Sequence, residues 1–422
     1  MIPGKLVLNL GLKVDSSAIP VALIPCFSMN FGPATQRLSN DSALDTGQGG
    51  IALGLFLMPA SLPGRALADA LDWNHDVLCE ADRLGYSEAW IGQHFTTPWE
   101  PIASPQQVIA RALGHTSQIR LGPGVEVLYN AHPVRLALEL AQLDHLARGR
   151  LMFGFGSGGT GTDFQLYGVD PRADQHSAMA REALAIILDC WKPGGPDRFD
   201  GQFWQVHRPA YDDRYVWHIE PYGDPRPRIA LAGFMPRSAS MRLAGEHGYI
   251  PLSFHVAPEH MSLHWQGICE GAAQSGRSPS RARWRHIRDI YVAESAAEAR
   301  RAARDGCMGQ FWDRHFMKTI ARSGSLNLFK RPAAPAESAG DAASMIEHRS
   351  WYVGTPDQVV DLILEHHDIT GGFGTLLQLG YDYADPGWRE GWMRSMALLA
   401  TEVMPAVNRR LAAARPAKAE VH

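Results

Sequence analysis

IRLGPGVEVLYNAHPVRLALELAQLDHLARGRLMFGFG, residues 119–156, holds one full structural repeat of the chain. IRLGPGVEVL (119–128) reads as a strand. Pro133 suits a first helical position, and the segment after it sets Leu136, Leu140 and Leu143 on one helical face. LMFGFG (151–156) is apolar throughout, as a strand covered on both sides should be. Strand, helix and strand in this rhythm form the unit of a parallel sheet.

The same rhythm extends in both directions. IALGLFLM (51–58) predicts a strand, followed by turn residues and a helix over 65–84 that Gly85 caps. SEAWIG (87–92) and a helix over 102–116 make the next pair. Beyond Gly156 come a helix over 178–191, an aromatic and proline-rich excursion over 199–228, and strands at 228–233, 249–254, 284–294 and 373–380. Helices at 238–248 and 387–412, with a long helical stretch after residue 254, complete the pattern. Eight strands, each with a helical partner, predict an α/β fold of the (β/α)8 TIM-barrel type with insertions, over an open doubly wound sheet. The barrel is expected over 51–412, after a poorly ordered N-terminal extension at 1–50 and before a tail at 413–422. Residues 305–350, with their RPAAPAESAGDAAS run, read as a weakly structured insertion, either a mobile lid or a linker.

Composition narrows the partners. The chain is 45% hydrophobic and 20% charged with a net charge of −4, and its basic residues are scattered, so nucleic acid is not expected. No apolar run approaches the ~20 residues that cross a bilayer, so no membrane is expected either. Cys26, Cys79, Cys190, Cys269 and Cys307 are far apart and form no CxxC pair, which argues against a disulfide framework or zinc site and fits a reducing cytoplasm.

In a (β/α)8 barrel the C-terminal strand ends carry the site. His94 lies at such an end, as do Gly124 and Val125, the GFGSGG run with Gly156, Ser157 and Gly159, and PRSAS with Arg237, Ser238 and Ser240. Each has two readings. His94 is a packed structural residue or a catalytic one. The glycines make a tight turn or a cofactor wall. Arg237, Ser238 and Ser240 form a phosphate seat at a helix start, or an ordinary serine cap beside a solvent-facing arginine. HExxH, GxSxG and paired carboxylates are missing from these ends, so hydrolysis lacks its groups and no metal is expected. A pocket with one histidine, glycines and a phosphate seat suggests a cofactor that does the hard chemistry.

These residues resemble the bacterial luciferase-like flavin monooxygenases. EAWIGQHF, the 119–159 block, TDFQLYGVD, PRIALAG, WYVGTPDQVVDLI and TEVMPAV carry the resemblance over about 51–408, nearest to the limonene monooxygenase branch. It implies reduced FMN supplied by a separate NAD(P)H:flavin reductase, O2 as co-substrate, a flavin C4a-hydroperoxide, and oxygenation of a small hydrophobic substrate. It also implies His94 as the catalytic proton-transfer group and a non-prolyl cis peptide at Gly124–Val125 beside the flavin. Gly156 would face the reactive flavin carbon. Ser157 stands where the luciferases have an arginine near the FMN phosphate, leaving Arg237 to supply the charge. The family's acid and second histidine are replaced by Gln93 and Phe95, which removes a charge and a proton acceptor beside His94. The lid of the luciferases falls at 305–350.

Helices 102–116 and 133–148 match the family's dimer face and carry surplus apolar residues, so a homodimer is expected. Two other functions compete: a deazaflavin (F420)-dependent dehydrogenase on the same barrel, and a flavin-binding protein without turnover.

Overall fold

The computed structural model describes residues 50–194, 198–335 and 338–414. The expected extension at 1–50, but for Gly50, and the tail from 415 lie outside the described residues. The strands are β1 (Ala52–Ala60), β2 (Glu88–Ile91), β3 (Arg120–Pro123), β4 (Glu126–Val127), β5 (Phe153–Gly156), β6 (Arg198–Asp200), β7 (Gln205–His207), β8 (Ile229–Gly233), β9 (Ile250–Ser253), β10 (Arg285–Arg288), β11 (Ile290–Val292), β12 (Tyr352–Gly354) and β13 (Thr375–Tyr381). Nine of them form one parallel sheet in the order β3-β2-β1-β13-β10-β9-β8-β5-β4. Strands β3 and β4 are two halves of one barrel strand, interrupted at the Gly124–Val125 peptide, which is cis. The first half pairs with β2 and the second with β5, and a bridge from Leu121 to Leu151 closes the ring. The expected eight-stranded barrel is therefore present.

Helices α1 (Leu67–Arg83), α2 (Pro105–Leu113), α3 (Pro133–Ala147), α4 (Gly161–Leu166), α5 (Gln175–Cys190), α6 (Ala239–His247) and α7 (Pro258–Gln274) lie between successive strands. Apolar spacing does this: α3 buries Leu136, Leu140 and Leu143, the leucines whose periodicity predicts it. At the N-terminal end of the barrel Glu88 of β2 and Arg285 of β10 pair at 3.0 Å, although β1 and β13 separate their strands in the ring. Trp90 donates its indole N–H to the same carboxylate at 2.9 Å. Outside the ring, Arg228 donates two hydrogen bonds to Asp144 of α3, at 2.6 and 2.9 Å.

Two expectations are corrected. The single strand at 284–294 is two: β10 belongs to the barrel, and β11 turns away at Asp289 to pair with β12 in a small parallel sheet. The insertion at 305–350 is not weakly structured. It follows α8 (Ala296–Asp305) and contains α9 (Cys307–Phe311), a π turn (Trp312–Phe316), α10 (Met317–Arg322) and α11 (Ala342–Glu347). Phe311 and Trp312 are fully buried, and the Trp312 indole donates to the Gly340 carbonyl at 2.7 Å. Burial of that aromatic patch overrides the Ala, Pro and Ser content behind it. The chain ends in α12 (Pro356–Thr370), α13 (Pro386–Leu398) and α14 (Met404–Ala413), the last two joined by a π turn.

Candidate active site

His94 follows β2 at the C-terminal end of the barrel, where its backbone N–H donates to the Ile102 carbonyl at 3.0 Å. Its Nε2 lies 3.5 Å from Glu100 and its Nδ1 3.5 Å from Asp163 of α4. Thr160 Oγ1 is 3.2 Å from the same Nδ1. The side chain keeps 25% of its surface exposed, so the ring can be reached from solvent or by a ligand. Burial pushes the imidazole pKa down, but Glu100 and Asp163 outweigh burial and raise it above its ordinary value. Asp163 responds in the opposite sense: burial raises it, while hydrogen bonds from His94, Thr96 and the Phe95 N–H hold it below the usual carboxylate range. Glu100 also reaches His315 of the insertion, at 3.4 Å, and Trp99 stacks on the His315 ring.

These two carboxylates correct the picture of His94 stripped of its charge. Gln93 is buried and makes structural bonds, donating to the Ala103 carbonyl at 2.9 Å and accepting the Val127 N–H at 2.7 Å. It also donates to Glu126, a buried carboxyl whose pKa burial pushes up to about 7 against the hydrogen bonds from Gln106 and Gln93. Phe95 packs edge-on against Tyr167. The charge thus comes from Glu100, in the same loop as His94, and from the first turn of α4. Their approach to His94 depends on how the loops close, which no local motif records; an acid in the first helical turn after a strand end was the available signal.

The glycines form a wall. A Cβ on Gly156 would fall 2.5 Å from Cγ2 of Val125, and one on Gly124 would fall 2.7 Å from the Trp90 Cβ, so only bare backbone fits at either place. Gly159 is exposed, and a Cβ there would meet nothing within 4 Å. Ser157 between them is half-buried. β5 and β8 are neighbours, so the 157–159 loop and the 234–240 loop leave adjacent strand ends. Ser238 sits at the cap position of α6 yet makes no side-chain cap bond; its hydroxyl pairs with that of Ser240 at 2.6 Å, and Ser240 donates to the Ala232 carbonyl at 2.5 Å. Arg237 is exposed. The structure brings His94 to the glycine run through Thr160, and Val125 to Gly156. It sets Arg237, Ser238 and Ser240 on the next strand end, without direct contact to His94 among the described residues.

A second buried centre lies at the same end of the barrel. His255, two residues past β9, has Nδ1 2.6 Å from Asp289, whose other oxygen accepts the Tyr381 hydroxyl. Burial would raise Asp289, but His255 and Tyr381 hold it below the usual carboxylate range. The strand-end position that singles out His94 is shared by His255, which directly follows YIPLSF (249–254) and was legible there.

A parallel eight-stranded barrel that gathers a histidine set between two carboxylates, bare glycine backbone and an uncapped helix start at its C-terminal end has the layout of an enzyme that works through a cofactor. The family model of the luciferase-like monooxygenases matches residues 51–371, and this chain belongs to that family. It is 28% identical over 372 residues to 3,6-diketocamphane 1,6-monooxygenase of Pseudomonas putida, with 84% of this chain and 97% of the relative covered. The solved structure described as the oxygenating constituent of that type II Baeyer–Villiger monooxygenase, in complex with FMN, superimposes with a TM-score of 0.80 over 85% of this chain and 99% of its own. The chain is 33% identical to 4-hydroxyprotoasukamycin monooxygenase of Streptomyces nodosus subsp. asukaensis, covering 85% of this chain and 92% of the relative. Limonene 1,2-monooxygenase of Rhodococcus erythropolis is 30% identical, with 85% and 87% covered.

Proposed function

We propose that this chain is the oxygenase component of a two-component system that takes reduced FMN from a separate NAD(P)H:flavin reductase and uses O2 to oxygenate a small hydrophobic substrate. One observation carries the reading: His94, set between the carboxylates of Glu100 and Asp163, stands beside a glycine wall and can hold or return a proton but has no redox chemistry of its own. A flavin fits this donor set. Gly124 and Gly156 carry no side chain, and Val125 packs its isopropyl group against Gly156, a low apolar wall that suits a flat ring, while Ser157, Gly159, Arg237, Ser238 and Ser240 suit its phosphate at the uncapped start of α6. When bound, reduced FMN supplies the activation of O2, one atom going to the substrate and the other to water. His94 then serves as the proton donor and acceptor, with Glu100 and Asp163 stabilising its charged form. The FMN in the solved relative supports FMN over a deazaflavin.

The insertion supports a lid reading, because His315 and Trp99 join it to the Glu100 side of His94 and closure there would exclude water. Its aromatic side chains and Phe254 suit a hydrophobic substrate. A homodimer through α2 and α3 is supported by Leu138 and Leu146, which are 43% and 61% exposed, and by an open groove of about 610 Å3 between α3 and β7. Among the described residues no helix is long and apolar enough to cross a membrane, and the four described cysteines are free, which suits a cytoplasmic enzyme. The test is substrate-dependent O2 uptake with photoreduced FMN over a panel of hydrophobic compounds. No uptake above free-flavin decay for any compound overturns the reading.

A further inference from the structure

His255 is 2% exposed and fixed from one side only. Its Nδ1 is engaged by Asp289, and Asp289 is held in turn by Tyr381, so the ring has one orientation. Its Nε2 is buried with no hydrogen-bond partner. Around it stand Phe254, Phe316, Phe329 and Trp312, with ring centroids 4.4, 5.2, 5.1 and 6.1 Å from the imidazole. A buried polar atom left without a partner destabilises the fold, and an aromatic enclosure offers it no relief. An enclosure of apolar walls with one oriented polar atom is how proteins select a ligand that is apolar except at one point.

The two histidines divide the work differently. His94 has a carboxylate at each nitrogen, which suits proton handling. His255 has one nitrogen committed and one open. The π turn Trp312–Phe316 lies between them, with His315 reaching Glu100 and Phe316 lying against His255 and Phe254. Phe254 in turn meets Phe56 of β1 and Phe234 beyond β8, so the walls run on across the barrel mouth.

We propose that Nε2 of His255 makes the hydrogen bond that recognises the oxygen atom of a compact apolar substrate, accepting the O–H of an alcohol when only Nδ1 carries a proton or donating to the carbonyl of a ketone when both nitrogens do, and so selects it over a hydrocarbon of the same size. The inference rests on the monooxygenase reading for what becomes of that substrate, but binding tests it separately. Tyr381 and Asp289 are positioning residues that hold the ring.

The test uses the full chain without flavin, with cyclohexanone, cyclohexanol and methylcyclohexane as probes and ligand-observed NMR as the readout. The wild type is expected to bind at least one oxygenated probe about tenfold more tightly than methylcyclohexane, and the preferred one identifies ketone or alcohol. His255→Phe should bring that ratio close to one while retaining methylcyclohexane, and His255→Gln should restore part of it. Tyr381→Phe should lower the ratio less than His255→Phe. Equal affinity for the three probes in the wild type, no probe binding, an unchanged ratio in His255→Phe, or failure of both His255 variants to fold would each overturn the proposal. A preserved ratio with no flavin-dependent O2 uptake would instead sink the monooxygenase reading and leave the recognition site standing.

Discussion

The two ends of the barrel carry buried charge in opposite ways. At the N-terminal end Glu88 and Arg285 complete each other, Trp90 adds a third bond, and both charged side chains are nearly inaccessible. At the C-terminal end His94 is a quarter exposed, with both carboxylate contacts at 3.5 Å, and His255 keeps an unpartnered nitrogen. A satisfied buried pair has nothing left to offer a ligand and acts as a clamp, whereas an incompletely satisfied one keeps bonding capacity in reserve. The difference separates the end that holds the barrel from the end proposed to react.

The sharpest way to break this contrast is His94→Ala. It should lower substrate-dependent turnover by roughly 10²–10⁴-fold, the usual share of a positioned proton-transfer group, with little change in thermal midpoint; unchanged turnover removes His94 from the chemistry. At the other end, Glu88→Ala removes the carboxylate that balances the buried charge of Arg285 and should reduce unfolding free energy by about 3–5 kcal/mol. Urea titration would measure it, and a loss below ~1 kcal/mol would mean that the pair is no clamp. Arg237→Ala should weaken FMN binding by about 1–3 kcal/mol without affecting stability, the loss of one charge-assisted hydrogen bond. Fluorescence titration with equal affinity for both proteins would reject the phosphate seat.

A smaller effect comes from three buried histidines, His264 of α7, His286 of β10 and His366 of α12. Burial lowers His264 to about 4, and burial also holds His286 and His366 well below the ordinary value, helped for His286 by His366 and His264 and for His366 by Arg288. Below pH 6.5 the unfolded chain takes up protons at these positions that the folded chain refuses. Stability is therefore full above that pH and falls as the medium is acidified towards about 4. Between pH 7 and 5.5 the loss should be on the order of 1 kcal/mol per histidine, partly offset by His94, whose raised pKa acts in the opposite direction. A denaturation midpoint that stays flat over this window would contradict the burial of the three rings.

Most of the scaffold was readable because hydrophobic periodicity is local. The strands at 51–58, 151–156 and 228–233 and the helix beginning at Pro133 each carry their own signal, and their alternation defines the ring. The resemblance also pointed to the Gly124–Val125 peptide, which is cis. What escaped was set by distant contacts. Asp289 follows the end of β10, and its carboxylate is taken up by His255, just beyond β9, and by Tyr381 of β13. Glu100 and Asp163 meet His94 only once two loops have folded together. At 305–350 composition misled, since Phe311 finds a partner in Tyr381 of β13, and Trp312 and Phe316 find one in His255 beyond β9, all distant in sequence.

The small sheet of β11 and β12 brackets the insertion. The two strands run parallel, Ile290 opposite Tyr352 and Val292 opposite Gly354, so the segment leaves from the far end of one strand and returns to the near end of its neighbour. Such a segment behaves as a cassette: its length and content can change while the ring beneath keeps its register. Exchanging residues 293–351 between relatives would then alter what the mouth admits without redesigning the barrel beneath it.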